Sequence, residues 1–264
     1  MLKYAAKVFF DGRLGDWRYM QMKIKYALKA SRISTSEKLP LASRTDAGVW
    51  CLGQVIAFHS NVVLRNLKRI NAFLPRGLAL YALAEVDEKF SPRKAESRTY
   101  VYIIPYFGEN IDTIKRAAEL FIGTHDFWNF SIATRRENTI RTIYEIKVEK
   151  IPDFLIITFR GKGFLNKMIR KIAWCLVAAG RGDIDLDFIE DRLERKVDSK
   201  VPSLPPEGLF LLDVEYSPRI LFSYDKNTLK DILHYLKTQH TLLKTLAFLC
   251  SSFIQKISSY FENT

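Results

Sequence analysis

Ser43-Arg44-Thr45-Asp46-Ala47-Gly48-Val49, running directly into Gln54-Val55-Ile56-Ala57-Phe58, is the stretch on which the reading of this chain turns. A polar loop sets one carboxylate between an arginine, a hydroxyl and a glycine, then enters an apolar strand. Two readings fit these residues. Asp and Gly are routine turn formers, so Thr45 and Asp46 fit a plain turn; equally, such a loop can hold one charged group in a fixed pose.

The surroundings read as alternating short elements. Tyr4 to Phe10 reads as a strand ending at the turn Asp11-Gly12. Apolar spacing predicts helices over residues 19–29 and 61–73, the second with Leu64, Leu67, Ile70 and Leu74 on one face and Asn61 as its cap. Residues 55–58, 78–86 and 99–105 read as strands. In the second half, residues 112–122 read as a helix ended by Gly123, residues 139–148 and 154–160 as strands, and residues 164–179 as a helix closed by Gly180. A short helix over 187–195 and a strand over 209–215 follow. This predicts an α+β fold: two similar α/β sandwich subdomains with antiparallel or mixed sheets, joined across a central basic cleft. The expected division is 1–107, 108–218 and a helical extension over 219–264, whose leucines and phenylalanines give one or two amphipathic helices with an apolar face that needs a cover.

Composition narrows the function. With 264 residues and 48% apolar content the chain is long enough for its own core. Lys and Arg outnumber Asp and Glu by 41 to 29, a net charge of +12, which favours a polyanionic partner, nucleic acid first. Three cysteines lie far apart, with no CxxC or paired Cys/His spacing, so neither a zinc site nor a disulfide framework is expected. No signal peptide and no apolar run of about 20 residues is evident, which predicts a cytoplasmic protein with no membrane contact.

Five blocks in register resemble the tRNA pseudouridine synthase A (TruA) family, in an archaeal-type form: Phe9-Phe10-Asp11-Gly12 through Trp17; the Asp46 loop; Arg98-Thr99-Tyr100-Val101-Tyr102; residues 121–131 with Thr139-Ile140-Arg141; and Phe164 through Arg170 with Pro205-Pro206-Glu207-Gly208-Leu209. The resemblance implies an isomerase that turns uridine into pseudouridine in the anticodon arm of tRNA, as a homodimer, with no metal or organic cofactor. It makes Asp46 the catalytic nucleophile, with Tyr100 and Arg170 beside it. Arg170 is the arginine expected against Asp46, offsetting the burial that raises a carboxyl pKa. Tyr100 is expected to stack on the extruded uracil or carry a proton at C5. Arg44, Thr45, Tyr102 and Leu165 are the expected substrate contacts. Whether Asp46 attacks sugar or base, or abstracts a proton, stays open.

Basic segments at Arg65, Lys68 and Arg76, at Arg135-Arg136 and Arg141, and over 162–171 are candidate phosphate contacts, whose binding raised salt weakens. Two features depart from the family pattern: Trp50 stands where a histidine is usual, and Gly15-Asp16-Trp17-Arg18 is scrambled. The competing readings are a non-catalytic RNA-binding protein on the same scaffold and a pseudouridine synthase with another RNA target.

Overall fold

β1 (Leu2–Phe10) is buried along nearly its whole length because both of its faces are covered, so it reads as a continuous apolar run rather than an alternating one. The computed structural model describes residues 1–33, 38–135 and 138–262. After β1 come α1 (Trp17–Ala30), β2 (Trp50–Ser60), α2 (Lys68–Asn71), β3 (Leu78–Glu85), β4 (Ser97–Pro105), α3 (Ile111–Leu120) and β5 (Gly123–Asp126). The second half continues with β6 (Ile140–Ile151), β7 (Phe154–Gly161), α4 (Met168–Arg181), α5 (Leu186–Leu193), β8 (Leu209–Glu215), β9 (Ser223–Tyr224) and α6 (Lys226–Glu262).

All strands join one sheet in the order β5-β6-β7-β4-β8-β2-β1-β3-β9. β4, on the N-terminal side of the expected 107/108 division, is inserted between β7 and β8. Strands of the two halves therefore meet along both edges of β4 and again where β2 runs parallel to β8 over two residue pairs, Trp50↔Phe210 and Cys51↔Leu211. Helices α1 to α5 bury their apolar faces in one continuous core with Tyr100, Tyr102, Ile157 and Phe159 of the sheet. On the opposite face, Ile232 of α6 packs with Phe9, Tyr81 and Ala82 in a second, smaller core. The fold is α+β, as expected.

Several boundaries differ from the sequence reading. The expected helix over 61–73 is helical only at Lys68–Asn71. Upstream, the Ser60 hydroxyl donates to the Val62 carbonyl and the Leu64 N–H to the Tyr4 hydroxyl, bonds that hold the chain in a non-helical course. α4 begins four residues later than expected because Lys167 takes a left-handed conformation, φ 59°. It also runs through Gly180, where an added Cβ would lie 2.6 Å from Cγ1 of Ile114, so that glycine serves close helix packing. Gly182, at φ 79°, is the residue that ends the helix. The C-terminal extension is a single helix of 37 residues.

Candidate active site

The Asp46 loop is held at both ends by its own sequence. The Ala42 N–H donates to the Val55 carbonyl, the Trp17 N–H to the Thr45 carbonyl and the Gly48 N–H to the Gly12 carbonyl, the last at 2.9 Å. Gly12 is pressed against the loop so closely that a Cβ there would lie 2.5 Å from the Val49 backbone. This contact accounts for the Phe-Asp-Gly opening. Gly48 sits at φ 89°, where glycine is favoured, and a Cβ on it would come within 2.8 Å of Cγ of Pro206. Pro206 and Glu207 belong to the segment leading into β8, so the loop entering β2 and the loop entering β8 pack together at the parallel join.

Asp46 meets Arg170 in this frame. Nη1 of Arg170 donates to Oδ2 of Asp46 at 2.7 Å, while its Nε donates to the Leu204 carbonyl at 2.7 Å. The two bonds fix the guanidinium plane, leaving Asp46 33% exposed and Arg170 only 11%. The pair lies in a cleft of about 650 Å³ lined by six arginines and two lysines, Arg18, Arg44, Arg93, Arg98, Arg141, Lys162, Lys167 and Arg170, with Asp46 the only acid lining it among the described residues. A negatively charged chain is drawn to such a surface, and a single carboxylate awaits it there.

Tyr100, from β4, borders the same cleft. Its ring is buried, edge-on to Phe164 at 5.6 Å between centroids, and its hydroxyl lies 2.6 Å from Oγ of Ser43. Burial pushes the phenol well above the ordinary tyrosine value, with the Ser43 hydrogen bond opposing. Leu165 and Arg44 also line the cleft, Arg44 with its guanidinium 4.9 Å from the Trp17 ring centre. Arg18 stacks on Trp17 at the same distance.

Of the other two expected substrate contacts, Thr45 lines the cleft and Tyr102 lies outside its lining. Thr45 is buried and its hydroxyl lies 3.7 Å from Sγ of Cys51. Tyr102 is 2% exposed beneath the cleft, and its hydroxyl donates to the Pro205 carbonyl. Both hold loops. Lys171, within a segment expected to bind phosphates, is buried on the Val201 carbonyl, and burial lowers its pKa. Arg65, Lys68 and Arg76 are exposed outside the cleft, and Arg136 lies outside the described residues.

Arg98 and the α1 residues Trp17, Arg18 and Gln21 were not singled out from sequence, although Trp17 follows Asp11-Gly12 by five residues, a proximity that points at the same loop. Arg98 is buried and donates to the carbonyls of Ala42, Arg93, Ala95 and Lys162, tying together three segments of the cleft wall. Trp50 lies away from the cleft: the Arg13 guanidinium stacks on it at 5.1 Å and Phe9 meets it edge-on. Among the described residues no group of three His, Cys, Asp or Glu is placed to hold a metal ion, and no helix is long and apolar enough to cross a membrane.

A lone acid under a ring of cations is the arrangement of an enzyme that works on a phosphate-bearing chain. Residues 117–217 match the family model described as tRNA pseudouridine synthase. The tRNA pseudouridine synthase A of Pyrobaculum neutrophilum is 39% identical over 241 residues, 89% of each chain. That of Pyrobaculum calidifontis is 41% identical over 78% of this chain and 79% of its own. With that of Pyrococcus furiosus the identity is 33% over 96% of this chain and 98% of the relative, a span that takes in most of the 219–264 extension. The chain belongs to the tRNA pseudouridine synthase A family.

Proposed function

We propose that this chain isomerises uridine to pseudouridine in the anticodon arm of tRNA, with Asp46 as its catalytic carboxylate. The observation that carries the assignment is the 2.7 Å pair of Asp46 with Arg170 in a cleft whose other charged lining residues, among those described, are all cationic. The reaction breaks the bond from sugar to N1, turns the base and rejoins it through C5, gaining no outside group, so a positioned carboxylate is sufficient as its central catalyst. Arg170 keeps Asp46 oriented when a nucleotide excludes water. Tyr100 stands at the base, Leu165 forms an apolar wall and Arg44 holds the everted nucleotide or a neighbouring phosphate. Thr45, on the cleft lining, and Tyr102 beneath it complete the substrate contacts.

The target base must leave its stack, at a cost of a few kcal/mol that backbone contacts offset. Arg18, Arg141, Lys162 and Lys167 are the side chains on hand for that. We also read the chain as two halves, 1–107 and 108–218, with the 219–264 extension, working as a cytoplasmic homodimer on one tRNA without metal or organic cofactor.

The test uses unmodified tRNA transcripts and carbodiimide mapping of pseudouridine. Wild type should modify the anticodon arm, and Asp46→Asn should bind the same tRNA yet form no product. Product elsewhere in the tRNA would overturn the anticodon assignment, and an active Asp46→Asn would overturn the catalytic one.

A further inference from the structure

Isomerisation to pseudouridine removes one hydrogen, from C5, and supplies one, to N1, so a proton must travel without being gained or lost overall. Resting on the assignment of Asp46 and Tyr100 above, the question is how Tyr100 takes the C5 proton. A phenol is an effective base only when its own proton can leave. Burial keeps that proton on Tyr100 at neutral pH.

One neighbour is built to receive it. Oγ of Ser43 lies 2.6 Å from the Tyr100 hydroxyl, a short distance for a hydroxyl pair. Ser43 is only half-buried and lines the cleft, so the partner of the phenol belongs to the open site. Its position is held from behind by Gln54, which is fully buried on β2. The Ser43 N–H donates to Oε1 of Gln54 at 3.1 Å, and Nε2 of Gln54 donates to the Ser43 carbonyl at 2.7 Å. Gln54 thus mimics a strand partner for one residue, leaving Ser43 little freedom to turn. Phe164 fixes the Tyr100 ring from the other side. Oε1 of Gln54 also accepts the Val55 N–H at 3.2 Å, so the amide that holds Ser43 is itself tied to β2.

We propose that Ser43 relays the proton of Tyr100, with Gln54 as the residue that positions it. Once the base has rejoined the sugar through C5, the C5–H bond breaks and its proton passes to Oη of Tyr100. The C–H electron pair restores the C5=C6 double bond, and the N1=C6 pair withdraws onto N1. The phenol's own proton moves to Oγ of Ser43, and the proton of Ser43 passes to water in the cleft, from which N1 is protonated. Every proton released is returned, and neither phenolate nor cofactor is required.

The test is single-turnover modification of tRNA transcripts carrying uridine or C5-deuterated uridine, by wild type, Ser43→Ala, Tyr100→Phe and Asp46→Asn. Loss of the relay should slow Ser43→Ala by about tenfold or more, within the range of general acid–base effects. Its affinity for tRNA should be unchanged, and its isotope effect at C5 should exceed that of wild type because proton removal has become limiting. Ser43→Ala at the wild-type rate, or slowed equally on both substrates, overturns the relay while leaving Asp46 and Tyr100 in place if their variants are inactive. Tyr100→Phe at the wild-type rate, or an active Asp46→Asn, instead removes the underlying assignment.

Discussion

Replacing Arg98 by lysine keeps the charge and removes the fork. The native guanidinium donates to four main-chain carbonyls: Ala42 at 3.1 and 3.3 Å, Arg93 at 2.8 Å, Ala95 at 3.3 Å, and Lys162. It is 7% exposed, and burial draws its pKa down, so these carbonyls, more than solvent, stabilise its charge. A lysine ammonium has no planar fork and reaches one or two of the four. Two or three carbonyls then lose their partner, each at about 1 kcal/mol, for a net loss of about 2–3 kcal/mol. For a chain of this size that is roughly a 5–10 °C fall in melting temperature. The Ala42 and Lys162 segments also lose their common tie, so kcat on tRNA should fall with stability, measured at a temperature where both proteins are folded. Thermal melting by circular dichroism and a tRNA modification assay check the two effects. A melting temperature within about 2 °C of wild type would show that Arg98 does not brace the cleft wall.

Gly48→Ala should cost about 1–2 kcal/mol from the left-handed conformation alone, and more from the approach to Pro206, with loss of modification exceeding loss of stability, read by melting and by product yield. The root of α6 should be acid-sensitive. Burial alone would raise the Asp11 carboxyl, but hydrogen bonds from Arg13 and Tyr235 hold it below its ordinary value of 3.8. Its folded pKa is therefore the lower one, so its contribution is complete above pH 3.8 and fades as the pH falls through the folded value. Tyr235→Phe should narrow that loss and cost about 1 kcal/mol at neutral pH, seen as faster amide exchange in the first turns of α6. Lys162→Ala should weaken tRNA binding and reduce the slope of log affinity against log salt by about one, measured by filter binding across a salt series.

The pairing of Asp46 with Arg170 was legible through the family resemblance of the two short motifs that carry them, since the loop by itself fits a plain turn equally well. The strand and helix order was legible wherever periodicity ran for more than two turns or alternated cleanly, as in β7 and α3. What was hidden depends on contacts distant in sequence. No local pattern says that Lys167 will adopt φ 59° and delay α4, or that Gly180 is needed by Ile114 of another helix. The apolar spacing of residues 64–74 is real, since Leu67 and Ile70 are both buried, but it serves an irregular segment. That Thr45 meets Cys51 and Tyr102 meets Pro205 depends on partners no local pattern names. Arg98 opened one of the resembling blocks, but its bracing role stayed hidden because its partners are backbone carbonyls, which leave no trace in the side-chain sequence.

The strand group β5-β6-β7-β4-β8 is stitched to β2-β1-β3-β9 by two rungs, Trp50 to Phe210 and Cys51 to Leu211. Gly53 lets the strands continue past those rungs at close quarters, since a Cβ there would lie 2.3 Å from Cα of Asp213. A seam that narrow acts as the spine of a half-open book. Arg18 and Arg44 stand on one page and Arg141 and Lys162 on the other, while the Asp46–Arg170 pair crosses the fold, so whatever grips both pages is held against the acid.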